Sequence, residues 1–215
     1  LLAGHAAASA LPVHPGAAEF ADQPVSSLEA DPAQARSLLA EAGWAGEEGA
    51  KLRKGRSGLD LTLAVNLETT YKVSVAETLA ETLSSLGCTV TVSKLPWDDF
   101  LSALRKRDFD LYLGEASLTA DFDPESLVGP AGTLNYGGFI DSETNALLDA
   151  WRSARGTDRI AAASALYARL SEMAPIASLC FKNGSLLTQW GQVSGAGPVQ
   201  WDVFAGLSGW RIAQF

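Results

Sequence analysis

Residues 59–113 read LDLTLAVNLETTYKVSVAETLAETLSSLGCTVTVSKLPWDDFLSALRKRDFDLYL, and the periodicity of this stretch decides the fold class. Leu59, Leu61, Leu63 and Val65 alternate with Asp60, Thr62 and Ala64, which is the period of a strand. Val75, Leu79, Leu83 and Leu86 then recur at helical spacing, and Gly87 ends the run. Cys88–Leu95 alternates again, with Cys88, Val90 and Val92 on one strand face. Trp97, Phe100, Leu101 and Leu104 make another helical stripe, and Phe109–Leu113 a third strand. Strands separated by helices of this length need crossover connections. The stretch therefore predicts an α/β domain: a mainly parallel sheet with helices packed on both faces.

Upstream, residues 45–58 (AGEEGAKLRKGRSG) read as a Gly-rich charged loop. Before it, Asp31 suits a helix cap, Pro32 the first helical position and Gly43 the C-terminal stop. Between them Ala35, Leu38, Leu39 and Ala42 form one apolar face. Residues 1–30 carry Ala, Pro and Gly with little period and read as an extended connector. The opening Leu1-Leu2-Ala3 reads as the start of an excised piece or processed product. Downstream of Pro124 two helical stripes follow, Leu147/Leu148/Trp151/Ala154 and Ile160/Ala163/Tyr167/Leu170. Pro175 stops the second, Ile176–Phe181 reads as a strand, and Asn183-Gly184 as a tight reverse turn. Residues 191–215 are rich in Gly and Trp without a clear period, and no internal repeat occurs.

The bulk properties exclude several classes. The 215 residues suit one large domain or two small ones. With 47% apolar residues the chain can offset its ordering entropy, so it is not a disordered segment. A net charge of −9 argues against nucleic acid and against docking on anionic lipid, both of which call for a basic surface. No apolar run approaches the length of a membrane-spanning helix. Two cysteines, Cys88 and Cys180, supply neither a disulfide framework nor a four-ligand zinc site, and Cys88 reads as a buried small hydrophobe. The two histidines, His5 and His14, both lie in the leader.

In an open α/β sheet, ligands collect beyond the carboxyl ends of the strands, near the point where strand order reverses. That rule selects the loop Asn66-Leu67-Glu68-Thr69-Thr70-Tyr71 after the first strand. It also selects Gly114–Asp123, which carries Glu115, Ser117, Asp121 and Asp123, after the third. Carboxylates, hydroxyls and an aromatic ring there suit a cationic or amine-bearing ligand. Asn66, Glu68, Tyr71, Glu115, Ser117 and Asp121 are the candidate binding residues. Asp123, before Pro124, also suits a helix cap, and Thr69 or Thr70 suits the cap of the helix that follows. Enzymatic readings find less support. The chain has no G-x-S-x-G, no phosphate-binding G-x-x-x-x-G-K-[ST] and no second wall for a carboxylate pair, so no catalytic residue, metal ligand or cofactor is expected.

The stretch DPAQARSLLAEAGW (31–44), followed by a charged loop and LDLTLAVN, resembles the C-terminal lobe of bacterial peptide-type solute-binding proteins, the extracytoplasmic receptors of ABC importers. The likeness continues through Val75–Leu79, Leu86–Val90, Pro96–Phe100 and Arg107–Leu111, then Ala120–Pro124, Leu134–Tyr136 and Leu170–Ile176, covering about residues 30 to 182. The resemblance implies a type II periplasmic-binding-protein lobe over 31–182, entered by the connector 1–30. Residues 183–215 would then be a hairpin and return segment toward a missing N-terminal lobe. It also implies a peptide or similar solute as ligand, closed between two lobes by a hinge, and ABC permease subunits as partners. Nickel complexes and sugars are further ligands in the family. The setting would be periplasm or cell surface, with a lipid anchor in the full-length protein. Asp121 corresponds to the family aspartate that pairs with a peptide amino group, although A-D-F-D-P is one residue shorter than the family segment. The arginine that holds a dipeptide carboxylate has no counterpart in 66–71. The same lobe in a regulatory protein, sensing ligand rather than delivering it, is the alternative.

Overall fold

A computed structural model describes residues 4–17, 30–47, 49–184, 187–199 and 204–213. In chain order its elements are β1 (Ala6–Ala8), α1 (Pro32–Glu41), β2 (Arg53–Lys54), β3 (Ser57–Gly58), β4 (Asp60–Asn66), α2 (Thr70–Ser85) and β5 (Thr89–Leu95). There follow α3 (Trp97–Lys106), β6 (Leu111–Leu113), α4 (Glu125–Val128), α5 (Ser142–Ser153), α6 (Gly156–Met173), β7 (Cys180–Lys182), β8 (Val193–Ser194) and β9 (Arg211–Ile212). They fall into two compact units. The first holds Leu28–Ser117 and Glu125–Asn145, the second Leu2–Ser27, Leu118–Pro124 and Ala146–Phe215.

The first unit is the α/β body that residues 59–113 predict. Its sheet has the order β5-β4-β6, and both neighbours of β4 run parallel to it. The two faces of β4 are covered by different helices. Leu63 and Val65 pack with Ala76 of α2 and with Val90 and Val92 of β5, whereas Ala64 packs with Phe100 and Leu104 of α3. The alternation read from the sequence thus separates two apolar layers, the burial that parallel sheets require on both sides.

Local chemistry sets the ends of the elements. Asp31 caps α1, its carboxylate accepting the Gln34 N–H at 2.9 Å. Asp141 caps α5 in the same way, accepting the N–H and hydroxyl of buried Thr144 at 2.9 and 2.7 Å. Gly87 stands at φ +100° directly after α2. Thr69 takes the N-cap position of α2 but makes no side-chain bond to the helix backbone, so the hydroxyl cap expected there is not formed.

Other details depart from the sequence reading. The charged loop 45–58 contains the antiparallel pair β2–β3. No residue of α1 is buried, and Leu38 is 57% exposed. Polar bonds hold this helix instead: Arg36 donates to the Ser85 carbonyl at 3.1 Å and Lys54 to the Ala42 carbonyl at 3.0 Å.

In the second unit, β1 of the leader pairs antiparallel with β7, Ala7 opposite Phe181. Only Cys180–Lys182 of the expected strand Ile176–Phe181 is a strand. The Asn183 N–H donates to the His5 carbonyl at 2.9 Å and extends this ladder, while the turn expected at Asn183-Gly184 runs into residues outside the described ones. Leu148, Trp151, Ala163, Tyr167 and Leu170 of the predicted α5 and α6 stripes are buried, Leu147, Ala154 and Ile160 only half-buried, and Leu166, outside the stripe, is buried beside them. Ala174 ends α6 in the left-handed region ahead of Pro175. Cys88 is buried, Cys180 is exposed, and neither is in a disulfide.

Candidate functional site

With the strand order β5-β4-β6, the chain leaves the central strand to one side and returns on the other. The loops after β4 and β6 therefore flank the place where strand order reverses. These are the two loops the sequence selects, and the structure ties them together. The Tyr71 hydroxyl donates to Glu115 Oε2 at 2.7 Å, and Lys72 Nζ lies 3.0 Å from the same oxygen.

Asn66, at the end of β4, is 5% exposed. Its side-chain amide donates to Glu68 Oε2. The other oxygen of Glu68 accepts the Trp97 N–H at 3.1 Å. Trp97 opens α3, and the preceding Pro96 has no side-chain acceptor with which to cap it. Glu68 thus supplies from a distant loop the carboxylate that a helix N-terminus favours. The bond from Trp97, followed by that from Asn66, holds the Glu68 carboxyl below the ordinary carboxylate range.

A group whose folded pKa is depressed stabilises the fold above its unfolded pKa, and that contribution is lost as pH falls through the folded value. Glu68→Gln should accordingly raise amide exchange at Trp97 several-fold at neutral pH. It should also remove that amide's acid sensitivity below the ordinary carboxylate range. Unchanged exchange at both pH values would show that Glu68 does not hold the helix.

Ser117 is exposed at the end of the first unit. Asp121 belongs to the second unit. Its Oδ2 lies 2.9 Å from Arg159 Nη2 of α6. The hydroxyl of Thr119 is the largest influence holding its carboxyl below the usual range; partial burial opposes it, and Arg159 adds to the lowering. Asp123 lies 3.1 Å from Arg152 Nε.

The sequence reads the 114–123 loop as acidic. In the folded chain Glu115, Asp121 and Asp123 are each matched by a cation, Lys72, Arg159 and Arg152. None of these three partners is legible in the sequence. Arg152 and Arg159 lie on separate helices far along the chain, with nothing in their spacing to point back to the loop. Among the described residues, no group of three or more His, Cys, Asp or Glu is arranged to hold a metal ion. No helix there is long and apolar enough to cross a membrane.

The profile of bacterial extracellular solute-binding proteins, family 5 Middle, matches residues 1–137. No curated protein matches the chain significantly. Among solved structures, the oligopeptide-binding protein AppA of Bacillus subtilis, in complex with a nonapeptide, superposes with a TM-score of 0.75 at 20% identity, over 99% of this chain and 44% of that one. NikZ of Campylobacter jejuni, in complex with Ni(L-His), gives 0.70 at 17% identity, over 97% of this chain and 44% of that one. A periplasmic oligopeptide-binding protein of Thermotoga maritima with bound mannohexaose gives 0.70 at 18% identity, over 98% and 45%. The chain spans less than half the length of each of these proteins. At such identities the likeness is one of fold, and the fold is that of a type II periplasmic binding protein.

Proposed function

Because the chain belongs to the bacterial extracellular solute-binding proteins of family 5, we propose that it is one lobe of an ABC-importer receptor that takes a peptide or similar small solute outside the membrane. The observation that carries this reading is the joining of the two strand-end loops at the sheet's switch point through Tyr71, Lys72 and Glu115. A ligand there meets Tyr71 and Glu115 as a ring and carboxylate already oriented toward each other. Asn66 and Glu68 brace the first loop and Ser117 offers a hydroxyl from the second, while Asp121, in the other unit, offers a carboxylate considered by itself. Because Glu115 carries one cationic partner and Asp121 another, an amine that meets either of them shares a carboxylate already paired rather than neutralising bare charge.

Such a site binds and releases, and nothing in the reading requires a chemical step. One lobe supplies one wall. The N-terminal lobe of the full-length protein supplies the other, and contacts made to both drive hinge closure. The return segment 183–215 leads back toward that lobe. The setting is extracytoplasmic, with a lipid anchor on the full-length protein and permease subunits as partners.

Native mass spectrometry of the full-length protein tests the reading, using a mixed pool of di- to decapeptides, nickel–histidine and a mannose oligosaccharide as probes. A retained peptide mass is the expected result. A retained nickel complex or sugar would keep the receptor and remove peptides from it. Retention of none of the three, by protein whose fold is verified, would sink the proposal.

A further inference from the structure

Asp121 is half exposed, with a side-chain exposure of 54%, yet two independent restraints converge on it. The first is backbone. Phe122, the next residue, has φ +57°, a region that residues other than glycine seldom occupy. Two other non-glycine residues with positive φ, Arg107 and Ala174, sit at helix C-termini, where that conformation is ordinary. Phe122 does not end a helix. Its ring is buried, 5.5 Å edge-on from Phe181 and stacked 6.4 Å from His14. Packing of the ring holds the strained backbone in place, and backbone strain of this kind gathers at ligand clamps and other functional sites.

The second restraint is Arg159. Its guanidinium carbon lies 4.0 Å from the centroid of the Trp151 ring, which has no exposed surface, and its Nη2 reaches Asp121 Oδ2 at 2.9 Å. The Arg159 side chain is only 18% exposed. A surface ion pair between two mobile side chains is worth little. A guanidinium seated over an indole and only 18% exposed has little rotamer freedom left to lose, so it sets the orientation of whatever it binds.

We propose that Arg159, clamped on Trp151, is the positioning residue for Asp121, fixing the carboxylate so that its exposed face meets an amine on the solute. The inference rests on the reading of Asp121 as a ligand residue given above. A purely structural tie between residues 118–124 and α6 would make a different prediction, because it would affect all ligands alike.

The test uses the full-length protein and two probes, a random tetrapeptide pool with free amino termini and the same pool N-acetylated. Retention of each is measured by mass spectrometry. The unaltered protein should retain the free-amine pool roughly tenfold better, the value of a charge-assisted hydrogen bond. Asp121→Ala should abolish that preference. Arg159→Gln should reduce free-amine retention about threefold or more and leave the acetylated pool unchanged. The double variant should retain no less than Asp121→Ala alone, because Arg159 acts through Asp121. Arg159→Lys, which keeps the charge without the guanidinium over the ring, should restore part of the preference, and it serves as the test variant should Arg159→Gln not fold.

Full preference in both Arg159 variants overturns the positioning role while leaving Asp121 in the site. An equal loss of both pools in Arg159→Gln makes the pair a structural tie, and a double variant below Asp121→Ala gives Arg159 a contact of its own; either result overturns the proposal. Absence of preference in the unaltered protein, or its survival in Asp121→Ala, removes the Asp121 reading and this inference with it.

Discussion

Replacing Gly87 by alanine is expected to destabilise the fold by about 2–4 kcal/mol. Two costs add at this residue. Its φ of +100° is one that an L side chain rarely adopts. A Cβ there would also lie 2.5 Å from the Ala50 carbonyl oxygen and 3.2 Å from the Leu52 backbone nitrogen. Those atoms cannot swing aside as a side chain would. The Leu52 N–H donates to the Gly87 carbonyl at 2.8 Å, and the Leu52 side chain is buried. Moving the 50–52 backbone therefore breaks a hydrogen bond and lifts an apolar anchor together.

Gly55 is the control. It has φ +63° but nothing within 4 Å of its would-be Cβ, so Gly55→Ala should cost only about 1 kcal/mol. Urea unfolding of the two variants, read at unchanged slope, separates strain from collision. Equal midpoints would mean that the close approach at Gly87 contributes nothing.

Gly87 also illustrates which parts of the fold were legible. A glycine after a helical stripe announces a left-handed stop, because that conformation belongs to one residue and needs no partner elsewhere. The same holds for the alternation in 59–65 and for Asp31-Pro32: each is a local pattern with a local cause. From these came the parallel sheet, its two helical layers and the two loops at the switch point. Pairings between distant segments left no such trace. Ala6–Ala8 carries no alternation and little strand preference, and it becomes β1 only because Cys180–Lys182 lies beside it. In the same way Glu68 reads as an acidic loop residue until α3 brings the Trp97 N–H to it.

The loop 114–123 shows the same limit in electrostatic form. Its carboxylates are visible one by one, but the side chains that answer them come from elsewhere in the chain. Lys72 follows a different strand, and Arg152 and Arg159 stand on α5 and α6. Residue types give the sign of a charge; only the fold says whether that charge stands alone.

Trp151→Ala should have the largest effect of any single substitution considered, a loss of about 3–5 kcal/mol. The side chain has no exposed surface and lies in the α5 stripe with Leu148, itself 3% exposed. Removing it leaves a cavity the size of an indole, and a site that cannot collapse bears both the lost transfer energy and the void. Against a total stability of about 5–15 kcal/mol for a domain, such a loss brings the unit near unfolding. Trp151→Phe should behave very differently. Among the described residues the indole Nε1–H meets no acceptor. A buried donor without a partner costs about 1–3 kcal/mol, and phenylalanine removes that cost along with part of the ring. The two changes oppose each other, so Trp151→Phe should lie within about 2 kcal/mol of the unaltered protein. Its ring also still offers a face to Arg159. Urea unfolding monitored by far-ultraviolet circular dichroism checks both variants. A loss below about 1.5 kcal/mol in Trp151→Ala would mean that burial of the ring contributes little, and an equal loss in Trp151→Phe would mean that the unpaired donor carries no cost. Since Arg159 rests on this ring and Asp121 on Arg159, the phenylalanine variant should keep the preference for a free amine. Whatever fraction of Trp151→Ala still folds should lose part of it, no more than Arg159→Gln does.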